Sequence, residues 1–240
     1  IQNYEDYTKA VEEMNALNAS YTDVKLTLLK DISVTVGSGE DWTHIIDINR
    51  TCTLDLAGHT FSVHSNSYQV TAIYVYGDLT FTLMDSSSSG TGMIYGVGNS
   101  TTPVEIGYNA EGGAGAYKNP VECDVHFIMK SGTLQSRTSA GKSDYALTQS
   151  TFADTIIENG TIYGGISAPG TLTIKGGLIE CASPTSVVDV PHGSKFIMTG
   201  GTIRNTDTET ADLDDNEKQP LALDGSSTAV ISGGTLESIN

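Results

Sequence analysis

The chain has 240 residues, enough for one or two domains, and its composition narrows the fold class. Hydrophobic residues make up 38% of it and charged residues 17%, and there are 26 glycines. This mixture is too apolar for a disordered tail and too rich in glycine and threonine for a helical bundle. Twelve Lys and Arg against 29 Asp and Glu give a formal charge of −17, which argues against nucleic acid and anionic membrane as partners. No apolar run reaches the roughly 18 residues that a membrane span needs.

The N-terminal stretch predicts a helix. Its apolar residues recur at helical spacing at Tyr7, Ala10, Val11, Met14 and Leu17. Asn3, followed three residues later by Asp6, resembles an N-cap. Because a solenoid has an open apolar core and an unpaired strand at each end, we assign residues 1–20 to a helix that caps the first coil.

An eight-residue pattern recurs six times in the rest of the chain and predicts a solenoid. Its copies are LDLAGHTF (54–61), FIMKSGTL (127–134), TIIENGTI (155–162), LTIKGGLI (172–179), FIMTGGTI (196–203) and AVISGGTL (229–236). Positions one, three and eight are apolar except for Thr155, and position six is Gly except for His59. Alternation puts positions one and three on one side of a strand, and the Gly allows a corner before the next strand. One coil cannot bury its own inner face, so we expect the coils to stack.

The spacing of the copies favours a parallel β-helix. Their first residues are 73, 28, 17, 24 and 33 positions apart, and about 20–30 residues suit one turn. Strict hexapeptide repeats are absent, which argues against a left-handed β-helix, and the irregular spacing argues against a propeller. We therefore predict an all-β fold, in which residues 21–240 form a single right-handed parallel β-helix of roughly eight to nine coils.

The second position of the pattern should face outward, yet it is apolar in four copies: Ile128, Ile156, Ile197 and Val230. Branched side chains suit a strand for reasons of propensity alone. A covered or ligand-facing sheet would also explain them, and the sequence leaves both interpretations open.

Several segments together resemble a known family. They are the N-terminal helix, the TLLKDIS strand (27–33), the TLDLAGHTF coil (53–61), the LTFTLMDSSSSGTG segment (79–92) and the GGTI-like corners. Over residues 3–240 the chain resembles the right-handed parallel β-helix, pectate-lyase-like repeats of bacterial surface and adhesin-like proteins. The resemblance implies the fold and an extracellular or cell-surface location. It leaves activity open, because that superfamily includes lyases, glycoside hydrolases and non-catalytic modules.

An acidic loop at 205–220 is a candidate metal site. Asp212, Asp214 and Asn216 offer three oxygen ligands at alternate positions, as a calcium loop does, with Glu217 beside them. Glu217 stands where an EF-hand needs Gly, so the loop is not an EF-hand. A solvated acidic loop is the alternative to calcium binding.

A long loop at 97–124 is a candidate ligand-binding segment. It contains Tyr108, Glu111 and Tyr117, and tyrosines beside carboxylates can stack on sugar rings and bind their hydroxyls. The alternative is an ordinary surface loop.

The sequence has no recognisable catalytic motif. Glycosidases need two carboxylates across the scissile bond, and Asp189 and Asp224 are the best available pair because they occupy corresponding stretches before the last two copies. No Arg lies in a lyase motif. The three cysteines, Cys52, Cys123 and Cys181, are interpreted as small buried hydrophobes.

The function that we expect is that of a non-catalytic module outside the cell or on its surface. It would bind a polysaccharide or host glycan, or space other domains, within a longer chain. It would require no cofactor, with calcium as a possible ligand. The alternative is a carbohydrate-active enzyme, either a polysaccharide lyase or a glycoside hydrolase.

Overall fold

The computed structural model of the chain describes residues 3–17, 21–22, 24–39, 43–66, 69–98, 100–107, 124–138, 144–182, 186–208 and 219–239. Over these ranges the chain forms one helix followed by strands that pair in parallel. The fold is a parallel β-helix with an N-terminal helix, as the sequence predicts.

The helix α1 spans Tyr4–Ala16, and the strands that follow are arranged in turns. The first four turns contain β1 (Lys25–Thr27), β2 (Ile32–Val36) and β3 (Thr43–Ile48); β4 (Cys52–Asp55), β5 (Thr60–Ser65) and β6 (Val70–Val75); β7 (Leu79–Met84), β8 (Met93–Gly98) and β9 (Thr101–Ile106); β10 (Val125–Met129), β11 (Thr133–Arg137) and β12 (Tyr145–Gln149). The last four contain β13 (Asp154–Ile157), β14 (Thr161–Tyr163) and β15 (Gly165–Ser167); β16 (Thr171–Ile174), β17 (Leu178–Cys181) and β18 (Val188–Val190); β19 (Lys195–Asn205) and β20 (Leu221–Leu223); and β21 (Thr228–Ser238).

Equivalent strands of successive turns stack into three faces. The first sheet has the order β1-β4-β7-β10-β13-β16-β19-β21, and the second has the order β2-β5-β8-β11-β14-β17-β19-β21. The third has the order β3-β6-β9-β12-β15-β18-β20. The long strands β19 and β21 pass through the corner and belong to both the first and the second sheet.

The interior is a set of side-chain columns, one residue from each turn. Phe81, Phe127, Thr155, Leu172 and Phe196 are in register along the first sheet, and all are 0% exposed. The first two rings stack at 5.7 Å. The predicted inward positions one, three and eight are therefore confirmed in the five copies from 54–61 to 196–203.

The sixth copy, at 229–236, departs from the prediction. Ile231 pairs with Met198 in register but is 49% exposed, and Leu236 is 42% exposed. Within the described ranges no turn stacks on β21, so these side chains occupy core positions without being covered. The prediction that Ile231 is buried is wrong for this reason.

A column of glycines forms the corner between the first and second sheets. Gly132, Gly160, Gly177, Gly201 and Gly234 all have φ between +82° and +111°. A Cβ on Gly177 would lie 2.5 Å from the carbonyl oxygen of Gly160, in the turn below. Both the backbone conformation and the close approach of the turns therefore require glycine here.

The first copy makes its corner differently, which explains why His59 can stand where the other copies have glycine. Ala57 and Gly58 have positive φ values of 48° and 84°, and the His59 amide donates to the Leu56 carbonyl at 2.8 Å. The two left-handed residues of this tight turn come before position six. That position therefore does not need glycine, and His59 is accommodated.

Helix α1 covers the first turns. The side chain of Asn3 caps the helix by accepting a hydrogen bond from the Asp6 amide at 2.9 Å. Its side chains Tyr7, Val11 and Met14 are buried against the strands. Tyr7 meets Phe61 edge to face at 5.3 Å.

The end of the helix differs from the prediction in one residue. Leu17 is 38% exposed, because the helix ends at Ala16 and Leu17 turns into extended backbone. Arg50 holds this end from the following turn, since its Nη1 donates to the carbonyls of Met14 and Leu17 at 2.9 Å each. A cation at the C-terminus of a helix satisfies carbonyls that have no partner within the helix.

Candidate functional site

The outer face of the second sheet carries a continuous polar column. Its members are in register on β11, β14, β17, β19 and β21, as Gln135, Tyr163, Glu180, Arg204 and Glu237. Each is the ninth residue counted from the start of its repeat copy, and alternation points it outward.

Ion pairs hold the C-terminal part of this column together. Arg204 donates from Nε to Glu237 Oε2 at 2.6 Å and from Nη1 to Glu180 Oε2 at 3.1 Å. These hydrogen bonds, that to Glu237 first, raise the pKa of the Arg204 guanidinium. The two carboxylates therefore share one guanidinium on the same face, which offsets one of their two negative charges.

A cavity of about 290 Å³ opens beside this column. It is lined by Gln135, Ser136, Arg137, Tyr163, Glu180, Cys181, Ala182 and Thr206. These residues come from four successive turns, and we call the site the β14 groove. Tyr163 is 40% exposed, whereas Cys181 and Ser136 are buried.

The groove exists because one turn is cut short. β14 ends at Tyr163, and β15 begins at Gly165 with a single residue between them. That residue, Gly164, has a φ of +141°, and a Cβ on it would lie 2.6 Å from the Asp144 carbonyl oxygen. The neighbouring turns have longer connections at this corner. A recess is therefore left between Arg137 and Thr206, where Gly164 of the short turn contributes no side chain.

Arg137 is exposed at one end of the groove. It lies two residues after Gln135 on β11, so both side chains point outward. Among the residues that the structure describes, its side chain makes no ion pair or hydrogen bond. Its guanidinium is thus available to a ligand.

The predicted acid pair, Asp189 and Asp224, lies around the corner on the third sheet. Asp189 pairs with Ala222, two residues before Asp224, so both carboxylates are on the outer face of adjacent turns. Burial, and then the charge of Asp224, raises the pKa of the Asp189 carboxyl. The two acids lie close enough for the charge of one to affect the other, but neither lines the β14 groove, and their catalytic role stays a prediction.

Tyr145 lies close to the same pair. Its ring packs over Gly165 of the next turn: a Cβ built on Gly165 would lie 2.9 Å from Tyr145 Cδ1. Burial raises the pKa of its phenol, and the charge of Asp189 raises it further. The neutral hydroxyl is therefore a hydrogen-bond donor beside a partly buried carboxyl group.

A second polar cluster occupies the outer face of the third sheet in the first three turns. His44 stacks on Tyr74 at 3.8 Å, and Thr71 Oγ1 donates to Glu105 Oε2 at 2.7 Å. Tyr74 and Glu105 are nearly inaccessible to solvent. Their buried polar groups are committed to neighbours, which suits a structural role.

The other predicted sites lie outside the described residues. These are the ligand-binding set Tyr108, Glu111 and Tyr117 and the metal set Asp212, Asp214, Asn216 and Glu217. Over the described ranges, no three His, Cys, Asp or Glu side chains form a group that could hold a metal ion.

Two of the three cysteines are described, and both agree with the prediction. Cys52 and Cys181 are buried, and burial raises the pKa of the Cys52 thiol to about 12. Cys123 lies outside the described residues.

The residues of the β14 groove were missed by the sequence analysis. The eight-residue pattern stops one position short of Gln135, Tyr163 and Glu180. The signal that could have identified them is the polar or aromatic ninth position, repeated on successive coils with one free arginine two residues further on.

No family model, curated protein or solved structure matches the chain. Of the described residues, none belongs to a helix long and apolar enough to cross a membrane.

Proposed function

We propose that this protein is a non-catalytic glycan-binding module, and that the β14 groove is its binding site. The proposal rests on one observation: an exposed tyrosine lies between hydrogen-bonding side chains in a recess of about 290 Å³. An aromatic face packs against the C–H face of a sugar ring, while amide, carboxylate and guanidinium groups bind its hydroxyls. The volume is at the lower end for a ligand site, which suits one or two sugar units.

The setting that we propose is the exterior of the cell or its surface. Support comes from the resemblance of the coils to pectate-lyase-like repeats of bacterial surface proteins. A rigid stack of turns would also hold such a groove at a fixed distance from neighbouring domains in a longer chain. The acidic loop at 205–220 is a proposed calcium site in this setting.

A glycan array probed with the purified protein, with and without calcium, tests the proposal. We expect retention of a limited set of glycans, and loss of that retention in Tyr163→Ala. Tyr21→Ala is the matched control, because Tyr21 is 55% exposed and lies at the opposite end of the stack beside Arg50. Retention that survives Tyr163→Ala would exclude the β14 groove as the site.

The second candidate is a glycoside hydrolase that uses Asp189 and Asp224. It is favoured by the position of the two carboxylates on adjacent turns, where burial and then the charge of Asp224 raise the pKa of Asp189, the direction that an acid catalyst needs. We expect no turnover when a polysaccharide panel is followed by release of reducing ends. Turnover that disappears in Asp189→Asn and Asp224→Asn would replace the binding module by the enzyme.

A further inference from the structure

The three arginines of the chain are used in different ways. Arg50 donates to backbone carbonyls at the end of α1, and Arg204 is held between Glu180 and Glu237. Arg137 has no partner among the residues that the structure describes, although carboxylates outnumber cations more than twofold in this chain. An unpaired guanidinium at the rim of a cavity is an unused bidentate donor.

We propose that the β14 groove selects a sugar residue that carries one anionic substituent, a carboxylate or a sulfate ester, through Arg137. This inference rests on the proposed function of the groove. Tyr163 would pack against the ring and Gln135 would bind a hydroxyl, while the two N–H groups of the guanidinium edge bind the paired oxygens of the anion. Both substituents present two oxygens at a spacing that fits this edge.

The charges around the groove favour a ligand with a single anionic group over a polyanion. Glu180 lines the same cavity and shares Arg204 with Glu237, so one guanidinium faces two carboxylates there and a net negative charge remains. Arg137 adds the second guanidinium, which brings these four side chains to neutrality within a protein of formal charge −17. A ligand with one anionic group gains the contact with Arg137, whereas a polyanion also meets the long-range repulsion of the chain.

Matched oligosaccharides test the inference by calorimetry. Neutral gluco-, galacto- and manno-configured oligomers would be compared with the same oligomers bearing one terminal C6 carboxylate or one C6 sulfate. A charge-assisted bidentate contact predicts that an anionic member binds about ten- to a hundredfold more tightly than its neutral counterpart. The carboxylate and sulfate arms identify which of the two anions the groove prefers.

Arg137→Gln separates the charge effect from the groove itself. We expect it to reduce the ratio between the affinities for anionic and neutral probes to near one, and the affinity for the neutral probe, measured on the same variant, gives what Arg137 contributes to binding the sugar hydroxyls. Arg137→Lys should keep part of the preference, because it retains the charge and loses the bidentate geometry. A melting curve for each variant checks that the fold is intact.

The outcomes distinguish this inference from the proposed function. Equal binding of neutral and anionic probes to the unmodified protein, or a preference that survives Arg137→Gln, would overturn the inference and leave glycan binding in place. Binding of none of the probes, together with an array without hits, would overturn both.

Discussion

The buried carboxylate of Asp55 links three successive turns and stabilises their stacking. It is 1% exposed, and it bonds Lys25 Nζ at 2.7 Å in the turn below and the Ser86 amide at 2.9 Å in the turn above. Burial opposes its ionisation, but the hydrogen bonds from Lys25, Ser86 and Ala57 outweigh burial and lower its pKa to about 2. Asp85 repeats the arrangement one turn further on, where its carboxylate accepts from Gly58 and Gly92.

Acid should therefore weaken the fold through Asp55. A carboxyl group whose pKa is lower in the folded than in the unfolded chain stabilises the fold above its unfolded value, near pH 4, and the contribution is lost as the pH falls towards 2. We expect a loss of about 2 kcal/mol in the free energy of unfolding from this residue. Urea titrations at pH 7, 4 and 2 measure it. The Asp55→Asn variant should be less stable than the unmodified protein at pH 7, and it should lose less free energy of unfolding between pH 4 and 2. If the variant and the unmodified protein lose equal amounts, the assignment to Asp55 is refuted.

Equivalent core positions should differ in energy according to whether a turn covers them. Phe196 is 0% exposed between two turns, and its replacement by Ala should cost about 3–5 kcal/mol. Ile231 has the corresponding inward position in the last turn but is 49% exposed, so Ile231→Ala should cost well under half as much. Denaturant unfolding of the two variants compares them directly. Similar losses would mean that β21 is covered in solution.

At the scale of the element, the corner between the first and second sheets depends on its glycines. Gly177→Ala combines a φ of +85° with a Cβ placed 2.5 Å from the Gly160 carbonyl oxygen, so the turns must separate. We expect a loss of roughly 2 kcal/mol or more, from backbone strain and the broken contact together.

Gly37→Ala is the matched control for the corner. It has no atoms within 4 Å of the added Cβ and no positive φ, so its substitution should be nearly neutral or slightly stabilising. Melting temperatures of the two variants give the comparison. Equal melting temperatures would show that the glycine column does not set the spacing of the turns.

At the scale of the whole molecule, α1 seals one end of the apolar core. Removing residues 1–20 would uncover Phe61 and the interior of the first turns, which Tyr7 and its neighbours now bury. We expect the truncated protein to associate end to end and to melt at a lower temperature. Light scattering after size exclusion measures the association. A truncated protein that stays monomeric with an unchanged melting temperature would show that the helix is dispensable.

The repeat pattern could predict the fold because the interior imposes the same requirement on every turn. Phe127, Leu172 and Phe196 occupy one column, so most copies show the same apolar position and the same glycine after it. The outer face lacks such a requirement. Gln135, Tyr163 and Glu180 share a column there, but an outward position can hold many types of side chain, so no repeated residue marks it. The pairing of Asp189 with Asp224 could be predicted from equivalent places in the coils. The recess at Gly164 could not, because it depends on the unequal lengths of connections in neighbouring turns.

Within the described residues no turn stacks on β21, and this asymmetry sets the order in which the turns are expected to unfold. β21 is hydrogen-bonded to β19 on one side, whereas an inner strand such as β16 has neighbours on both sides. Unfolding β21 breaks one interface between turns, whereas unfolding an inner turn breaks two. Among the turns that the structure describes, unfolding is therefore expected to begin at β21 and to proceed towards α1. The rate of amide hydrogen exchange should fall turn by turn along that path, so that the β14 groove survives the loss of β21.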